Sequence, residues 1–313
     1  MGKGNTALNR AKREKNDEFY TQKKDIEKEL IHYHHHLKDK IVYCNCDDYR
    51  KSKFVEYFME NFEKIGLKKL ISTGFSKDGQ GTYSEYDGTI FKTGFLKGNG
   101  DALGEECTEI LKQADVVVTN CPFSLFRKYV SHLMKYGKKF LIIGSMNAIT
   151  YKEIFSYIKN NELWLGMNWV KDFVQPNGEV KKFGNICWYT NLEHSHRNTE
   201  LNLYKKYSAD EYPKYQNYDA IEVSKVTDIP MDYVEDVMGV PITFLDKYCP
   251  TQFEILGLAA DNRDKCEIFI KGTPTYLNEK HKSFVGMVLN HKAIYARILI
   301  RRKKAEPMTT DNK

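Results

Sequence analysis

Nowhere in its 313 residues does the chain string together the ~18 apolar positions that a membrane-crossing helix requires, so helical bilayer spans are not expected. The segment Met1 to Lys15 is polar and basic with no apolar h-region, which argues against a secretory signal. The seven cysteines, at 44, 46, 107, 121, 187, 249 and 266, are odd in number and lack a framework spacing. Most stand inside apolar runs, so reduced, buried thiols in a cytoplasmic protein are expected. Cys44-Asn45-Cys46 is not a zinc spacing, and no matching Cys or His pair follows it. His32 and His36 are four apart, but they belong to a run of histidines that reads as a solvated helix face, and no metal is expected. The chain also has no internal repeat and no low-complexity tract.

What is present fits a globular protein: hydrophobic residues make up 41% and charged residues 29%, enough for a sizeable core. The formal net charge is +6 and the isoelectric point about 8.7. The charge is concentrated at the ends. Lys3, Arg10, Lys12, Arg13 and Lys15 load the first fifteen residues, and Arg297, Arg301, Arg302, Lys303 and Lys304 load the last part. Two basic ends around a near-neutral body suggest a polyanion partner, with solvated tails as the plainer alternative.

Helical periodicity over Phe19–Leu37 places Ile26, Leu30, Tyr33 and Leu37 on one side. A strand follows at Ile41–Cys46, a helix at Lys53–Ile65, strands at Lys69–Phe75 and Thr89–Phe95 around a Gly- and Tyr-rich loop or hairpin, and a helix at Glu105–Gln113. Next come a strand over 115–120, a helix over 124–136, strand Phe140–Ser145, a helix over 150–160, and strands Leu163–Met167 and Asn185–Leu192. Strands alternating with amphipathic helices predict an α/β fold with a largely parallel sheet. From residue 193 the text turns Tyr-, Pro- and Asp-rich, with short strands such as Glu254–Leu258 and Ala296–Ile300. The expected organisation is a basic arm over 1–15, an α/β domain over 16–192 and a second region over 193–313.

The most informative words are Asn45-Cys46-Asp47-Asp48, after the first strand, and Asn120-Cys121-Pro122-Phe123, after the strand at 115–120. In open α/β sheets ligands bind beyond the carboxyl ends of the strands, so neighbouring strands would let both loops line one crevice. The second turn offers an amide oxygen, a bare carbonyl and a flat ring. Those parts suit an exocyclic amine on a planar base and point to a methyltransferase acting on adenine. The plain alternative is a turn that starts a helix at Ser124, with Phe123 in the core.

Several further words carry a resemblance: Asn16-Asp17-Glu18-Phe19-Tyr20-Thr21-Gln22, Val42 to Asp48, Gly98-Asn99-Gly100-Asp101, Val116 to Arg127, Phe140 to Phe155, Phe183 to Leu192 and Val240 to Tyr248. In these the chain resembles the EcoRI-type adenine-specific DNA methyltransferases, over nearly its whole length. The resemblance implies a Rossmann-like, class I S-adenosylmethionine-dependent sheet with a C-terminal DNA-recognition region. It implies methylation of adenine N6 at a short duplex site, with the base flipped out of the stack. A monomer acting on double-stranded DNA would suffice, with a cognate restriction endonuclease as a functional rather than physical partner.

On this resemblance Asn120 and the Cys121 carbonyl would hold the amine, with Pro122 shaping the turn and Phe123 stacking on the base. Cys121 stands where the family carries a second proline; the ring is lost and the carbonyl kept. Phe19, Tyr20 and Thr21, the strand-end residues Cys44, Asn45, Cys46, Asp47 and Asp48, and Asp101 would bind S-adenosylmethionine. No Gly-x-Gly follows the first strand. For Asp47 or Asp48 the structural alternative is a helix N-cap, and for Asp101 an ordinary turn acid. Lys12, Arg13, Lys15 and Arg127 would meet DNA phosphates. The rival readings are a methyltransferase of the same chemistry acting on RNA adenine or protein glutamine, and a weakened relative that only grips DNA.

Overall fold

The computed structural model describes residues 20–174, 180–259 and 287–304. The chain divides into two compact units: the stretch up to Ala148 with Leu163–His194, and Ile149–Glu162 with the stretch from Ser195 on.

The first unit is built on β1 (Tyr20–Thr21), α1 (Lys23–Leu30), α2 (His34–Leu37), β2 (Ile41–Asn45), α3 (Lys53–Glu60), α4 (Phe62–Ile65) and β3 (Lys69–Gly74). It continues with β4 (Thr82–Tyr86), β5 (Phe91–Phe95), α5 (Glu105–Gln113), β6 (Val116–Thr119), α6 (Phe126–Lys135) and β7 (Lys139–Ser145). After α7 (Lys152–Lys159), which belongs to the other unit, β8 (Trp164–Val174) and β9 (Val180–Thr190) complete it. These strands form one nine-stranded sheet in the order β1-β8-β9-β7-β6-β2-β3-β4-β5.

The sheet is mixed rather than largely parallel. Only its middle, β7-β6-β2-β3, is parallel; β4, β5, β9, β8 and β1 all pair antiparallel. The reason lies in the connections. No helix separates β3 from β4 or β4 from β5, only five residues lie between β8 and β9, and a short link between neighbouring strands forces reversal. The Asp87 carboxylate closes the β4–β5 turn by accepting from the Thr89 and Ile90 N–H groups.

The parallel strands are buried on both faces, as their unbroken Val/Ile runs require. Val42, Cys44, Val116, Val118, Leu141 and Ile143 pack with Phe54, Phe58 and Trp188. Ile26, Leu30, Tyr33 and Leu37 join the same core, as their spacing predicts. The helix expected over 53–65 is broken at Asn61, whose side-chain amide bonds back to the Tyr57 carbonyl at 3.0 Å.

In the second unit β10 (Ile221–Glu222), β11 (Val237–Pro241), β15 (Arg297–Arg302) and β12 (Phe253–Ala259) form a sheet in that order, and β13 (Val288–Leu289) pairs with β14 (Lys292–Ala293). α7 packs on β12. The buried Glu222 takes a two-nitrogen ion pair from Arg297 and a hydrogen bond from Tyr215. No helix among the described residues is long and apolar enough to cross a membrane.

Candidate active site

β2 and β6 are hydrogen-bonded neighbours, with Val42 opposite Val116 and Tyr43 opposite Val117. From β2 the chain runs to β3 on one side, and later returns to β6 and β7 on the other, so the β2/β6 boundary is the topological switch point. The loop Asn45–Asp48 and the turn Asn120–Phe123 therefore leave adjacent strands at the same end of the sheet.

Polar side chains tie these strand ends together. Thr73, near the end of β3, donates to Asn45 Oδ1 at 3.1 Å and pairs with the Tyr43 hydroxyl at 2.7 Å. Asn45 Nδ2 reaches the Ala102 carbonyl at 3.4 Å, which brings the Gly98–Asp101 loop to the same place. The backbone N–H of Asp47 donates to the Thr73 carbonyl at 2.7 Å. The Asp47 carboxylate accepts from Ser52 at 2.6 Å and, through its other oxygen, from Thr119 at the end of β6. Burial pushes the Asp47 carboxyl up to about 6, against these two hydroxyls, which favour the charged form.

The two aspartates differ in what they face. Asp47 is buried and braces Ser52, and Ser52 is the N-cap of α3, accepting from the Phe54 and Val55 N–H groups. Neither aspartate is itself the cap. Asp48 points outward and is held by Arg50, whose Nε donates to Oδ1 at 2.8 Å. Partial burial pushes the Asp48 carboxyl up, but the Arg50 guanidinium outweighs that and holds it below the ordinary value.

Asp48 also lines a cavity of about 380 Å³, together with Arg50, Phe75, Gln80, Thr82 and Phe95. Phe75 and Phe95 are more than half exposed there, at 56% and 66%. The Thr82 hydroxyl oxygen is buried, and no described residue bonds to it. Gly100, at φ +79°, lets its loop cross the end of β3; a Cβ on it would run into the Gly74 carbonyl. In the sequence Phe75 and Phe95 stand out only as the ends of two strands, not as site residues. Two lone phenylalanines after a strand and at the end of a hairpin belong to no motif.

The remaining candidates fall as follows. Asn120 is half-buried, Cys121 is buried, and the Pro122 carbonyl accepts from the Leu125 N–H at 2.9 Å as the turn enters α6. Phe123 is buried, with its ring edge-on to Phe173 at 6.3 Å. Phe173 in β8 pairs with Thr21 in β1, so the Tyr20–Thr21 strand lies one residue from the ring that touches the turn. The Thr21 hydroxyl oxygen is likewise buried, with no described partner. Cys44 faces the core and Cys46 is half-buried. Asp101 is exposed and accepts the Leu103 N–H at 3.0 Å, the geometry of a turn acid. Arg127 is exposed on the first turn of α6. Phe19, Lys12, Arg13 and Lys15 lie outside the described residues.

A mixed α/β sheet carries two loops at its switch point, one rich in carboxylates and one an Asn-x-Pro-aromatic turn, an arrangement that suits a methyltransferase. The model of the family "Adenine-specific methyltransferase EcoRI" matches residues 7–95 and 89–303. The Type II methyltransferase M.EcoRI of Escherichia coli is 44% identical, covering 96% of this chain and 98% of that protein. M.MgeORF184P of Mycoplasma genitalium is 38% identical over 95% of this chain and 99% of its own length. M.MpnI of Mycoplasma pneumoniae is 36% identical over 95% and 98%. No solved structure matches. The chain belongs to the EcoRI-type adenine-specific methyltransferase family and is an enzyme of the restriction–modification kind, a DNA adenine methyltransferase.

Proposed function

We propose that this enzyme uses S-adenosylmethionine to methylate the N6 amine of an adenine flipped out of double-stranded DNA, on a Rossmann-like class I sheet. The observation that carries this reading is the pairing of β2 with β6, which sets Asn45–Asp48 beside Asn120–Phe123 at one switch point. The cavity beside Asp48 fits the donor: two exposed rings suit a purine, and carboxylate and hydroxyl groups suit a ribose and an ammonium. Bound there, S-adenosylmethionine supplies a methyl group activated by its sulfonium. Asp48, Phe75, Phe95 and Thr82 would hold it, with Asn45 and Cys46 as the floor and Thr21 approaching from β1.

Asn120 would accept one hydrogen of the adenine amine through its side-chain oxygen, and the Cys121 carbonyl the other. Both interactions draw the nitrogen lone pair out of conjugation and aim it. That is positioning with electrostatics and needs no strong base. Pro122 keeps the turn short where its carbonyl meets the Leu125 N–H. Phe123 would meet the base after turning from its place beside Phe173. The second unit, with Arg301, Arg302, Lys303 and Lys304, is assigned to DNA recognition, and Lys12, Arg13, Lys15 and Arg127 to phosphates. A monomer in the cytoplasm, working beside a cognate endonuclease, completes the reading.

Transfer of tritiated methyl from S-adenosylmethionine to duplex DNA, RNA and lysate protein tests it. Incorporation into duplex DNA alone, located on adenine by modification-sensitive sequencing, is the expected result. Incorporation into RNA or protein instead would overturn it.

A further inference from the structure

We propose that Asp47 is a positioning residue that locks the cofactor loop to the base-holding turn through the hydroxyl of Thr119. The proposal rests on the methyltransferase reading above and concerns how its two loops are coupled.

Three observations carry it. First, Asp47 is fixed from three separate strand ends and one helix. Its N–H is on the Thr73 carbonyl at the end of β3, and one carboxylate oxygen is on Ser52 at the start of α3. The other oxygen is on Thr119 at the end of β6, and the residue itself lies two positions past the end of β2. Second, Thr119 immediately precedes Asn120. A hydroxyl fixed there sets the direction in which the chain leaves β6, and with it the placement of the Asn120 amide and the Cys121 carbonyl. Third, Asp47 is 8% exposed, whereas its neighbour Asp48 opens on the cavity with Arg50. The outward carboxylate is the one placed to meet a ligand; the inward one is committed to protein hydroxyls.

A buried carboxylate is a costly way to join two hydroxyls, because it must give up its hydration. An apolar contact would hold the strands as well. The carboxylate adds directional acceptors that fix two donors at once, so a shift of the loop on cofactor binding is passed to the turn through one rigid group. The same group transmits in reverse, since coupling between sites is reciprocal.

The test uses the full-length enzyme and four variants: Thr119→Val, Thr119→Ser, Asp47→Asn and the double Asp47→Asn/Thr119→Val. Calorimetric titration with S-adenosylmethionine gives the affinity of the DNA-free protein, and methyl transfer to unmethylated plasmid DNA gives kcat and KM. Thr119→Val keeps the shape and loses the hydroxyl. It should lower kcat about 10- to 100-fold, the range for a small misplacement of reacting groups, while the cofactor Kd stays within about threefold. Thr119→Ser should restore kcat to within about threefold, because the donor is back. The double variant should be no worse than the poorer single one, since both remove one link. Full activity in Thr119→Val, failure of Thr119→Ser to rescue, or losses that multiply in the double variant would each overturn the proposal. If Thr119→Val does not fold, Asp47→Asn, which preserves size, carries the same kcat-against-Kd comparison. An inactive wild-type enzyme would sink the methyltransferase reading itself; an active wild type with an active Thr119→Val would sink only the coupling.

Discussion

The ring of Phe126, the first residue of α6, packs against Gly144 in β7: a methyl group on that glycine would stand 2.7 Å from the ring's Cζ. Phe126 is buried and also meets Tyr189 at 4.9 Å between ring centroids, so it has nowhere to retreat. It sits three residues beyond Phe123, which makes this contact the anchor of the turn. Gly144→Ala should therefore cost about 1–3 kcal/mol by overpacking and lower methyl transfer in the fraction that folds. Gly144→Ala/Phe126→Leu, which removes the ring edge, should recover part of the melting temperature. A Gly144→Ala protein as stable as wild type would show that the helix shifts freely.

Asn120→Ala should abolish methyl transfer and leave affinity for DNA and for S-adenosylmethionine near wild type. The amide is assigned to the amine of the reacting base, an interaction that strengthens as the nitrogen attacks, so its loss falls on kcat. Turnover within about threefold of wild type would remove Asn120 from that role.

Sequence patterning reached the centre of this molecule more easily than its edges. α5 is legible to the residue, Glu105–Gln113, because Glu105 and Glu106 sit in its first turn, Lys112 in its last, and Cys107 and Leu111 recur at helical spacing. The parallel strands are legible as apolar runs. β8 is not: an apolar stretch marked Leu163–Met167, yet the strand continues to Val174 past an irregularity in its pairing with β9 between Leu165 and Trp169. That irregularity is held by the buried Glu29, which accepts from the Met167 N–H at 2.8 Å and from Asn168 Nδ2 at 2.9 Å. A carboxylate more than a hundred residues away leaves no local signature. β1 is similar, since Tyr20–Thr21 reads as the start of a helix until β8 supplies its partner. At the site, the two loops were legible as words, whereas Thr119 and Ser52 belong to no motif, and the sequence offers Asp47 or Asp48 rather than Ser52 as the cap of α3. Their shared attachment to Asp47 depends on strand order, which one sequence does not print.

Asp47→Asn should make the protein more stable at neutral pH and flatten its stability between about pH 4 and pH 6. Burial raises the Asp47 carboxyl from its ordinary 3.8 to about 6. An acid raised in this way favours the fold in its protonated form. Its contribution is fully present below pH 3.8, fades as pH rises, and is gone above about 6. The difference corresponds to about 3 kcal/mol at most. Asparagine keeps an acceptor for one hydroxyl and removes the charge, so the gain at pH 7 should be smaller than that ceiling. Melting curves of wild type and Asp47→Asn from pH 4 to pH 8 check the sign. A variant less stable than wild type at pH 7, with a deficit that shrinks as the pH falls, would mean that the charged form is the favoured one.

Phe75→Ala and Phe95→Ala should each weaken S-adenosylmethionine binding with little effect on folding. Both rings are largely exposed at the mouth of the Asp48 cavity, so truncating them leaves no hole in the core. Stacking of a base on an aromatic ring is worth about 1–3 kcal/mol, which corresponds to a rise in Kd of roughly 5- to 150-fold. Phe75→Tyr keeps the stacking face and should bind like wild type. Arg50→Ala separates the aromatic contribution from the charge: it frees Asp48 from an exposed ion pair, so its effect on affinity should weaken with added salt. Calorimetry with S-adenosylmethionine, and with methionine and adenosine as separate ligands, locates the effect. A loss confined to adenosine would assign the two rings to the purine. Unchanged affinity for both halves in Phe75→Ala and Phe95→Ala would place the cofactor elsewhere along the switch point, nearer Thr21 and Asn45.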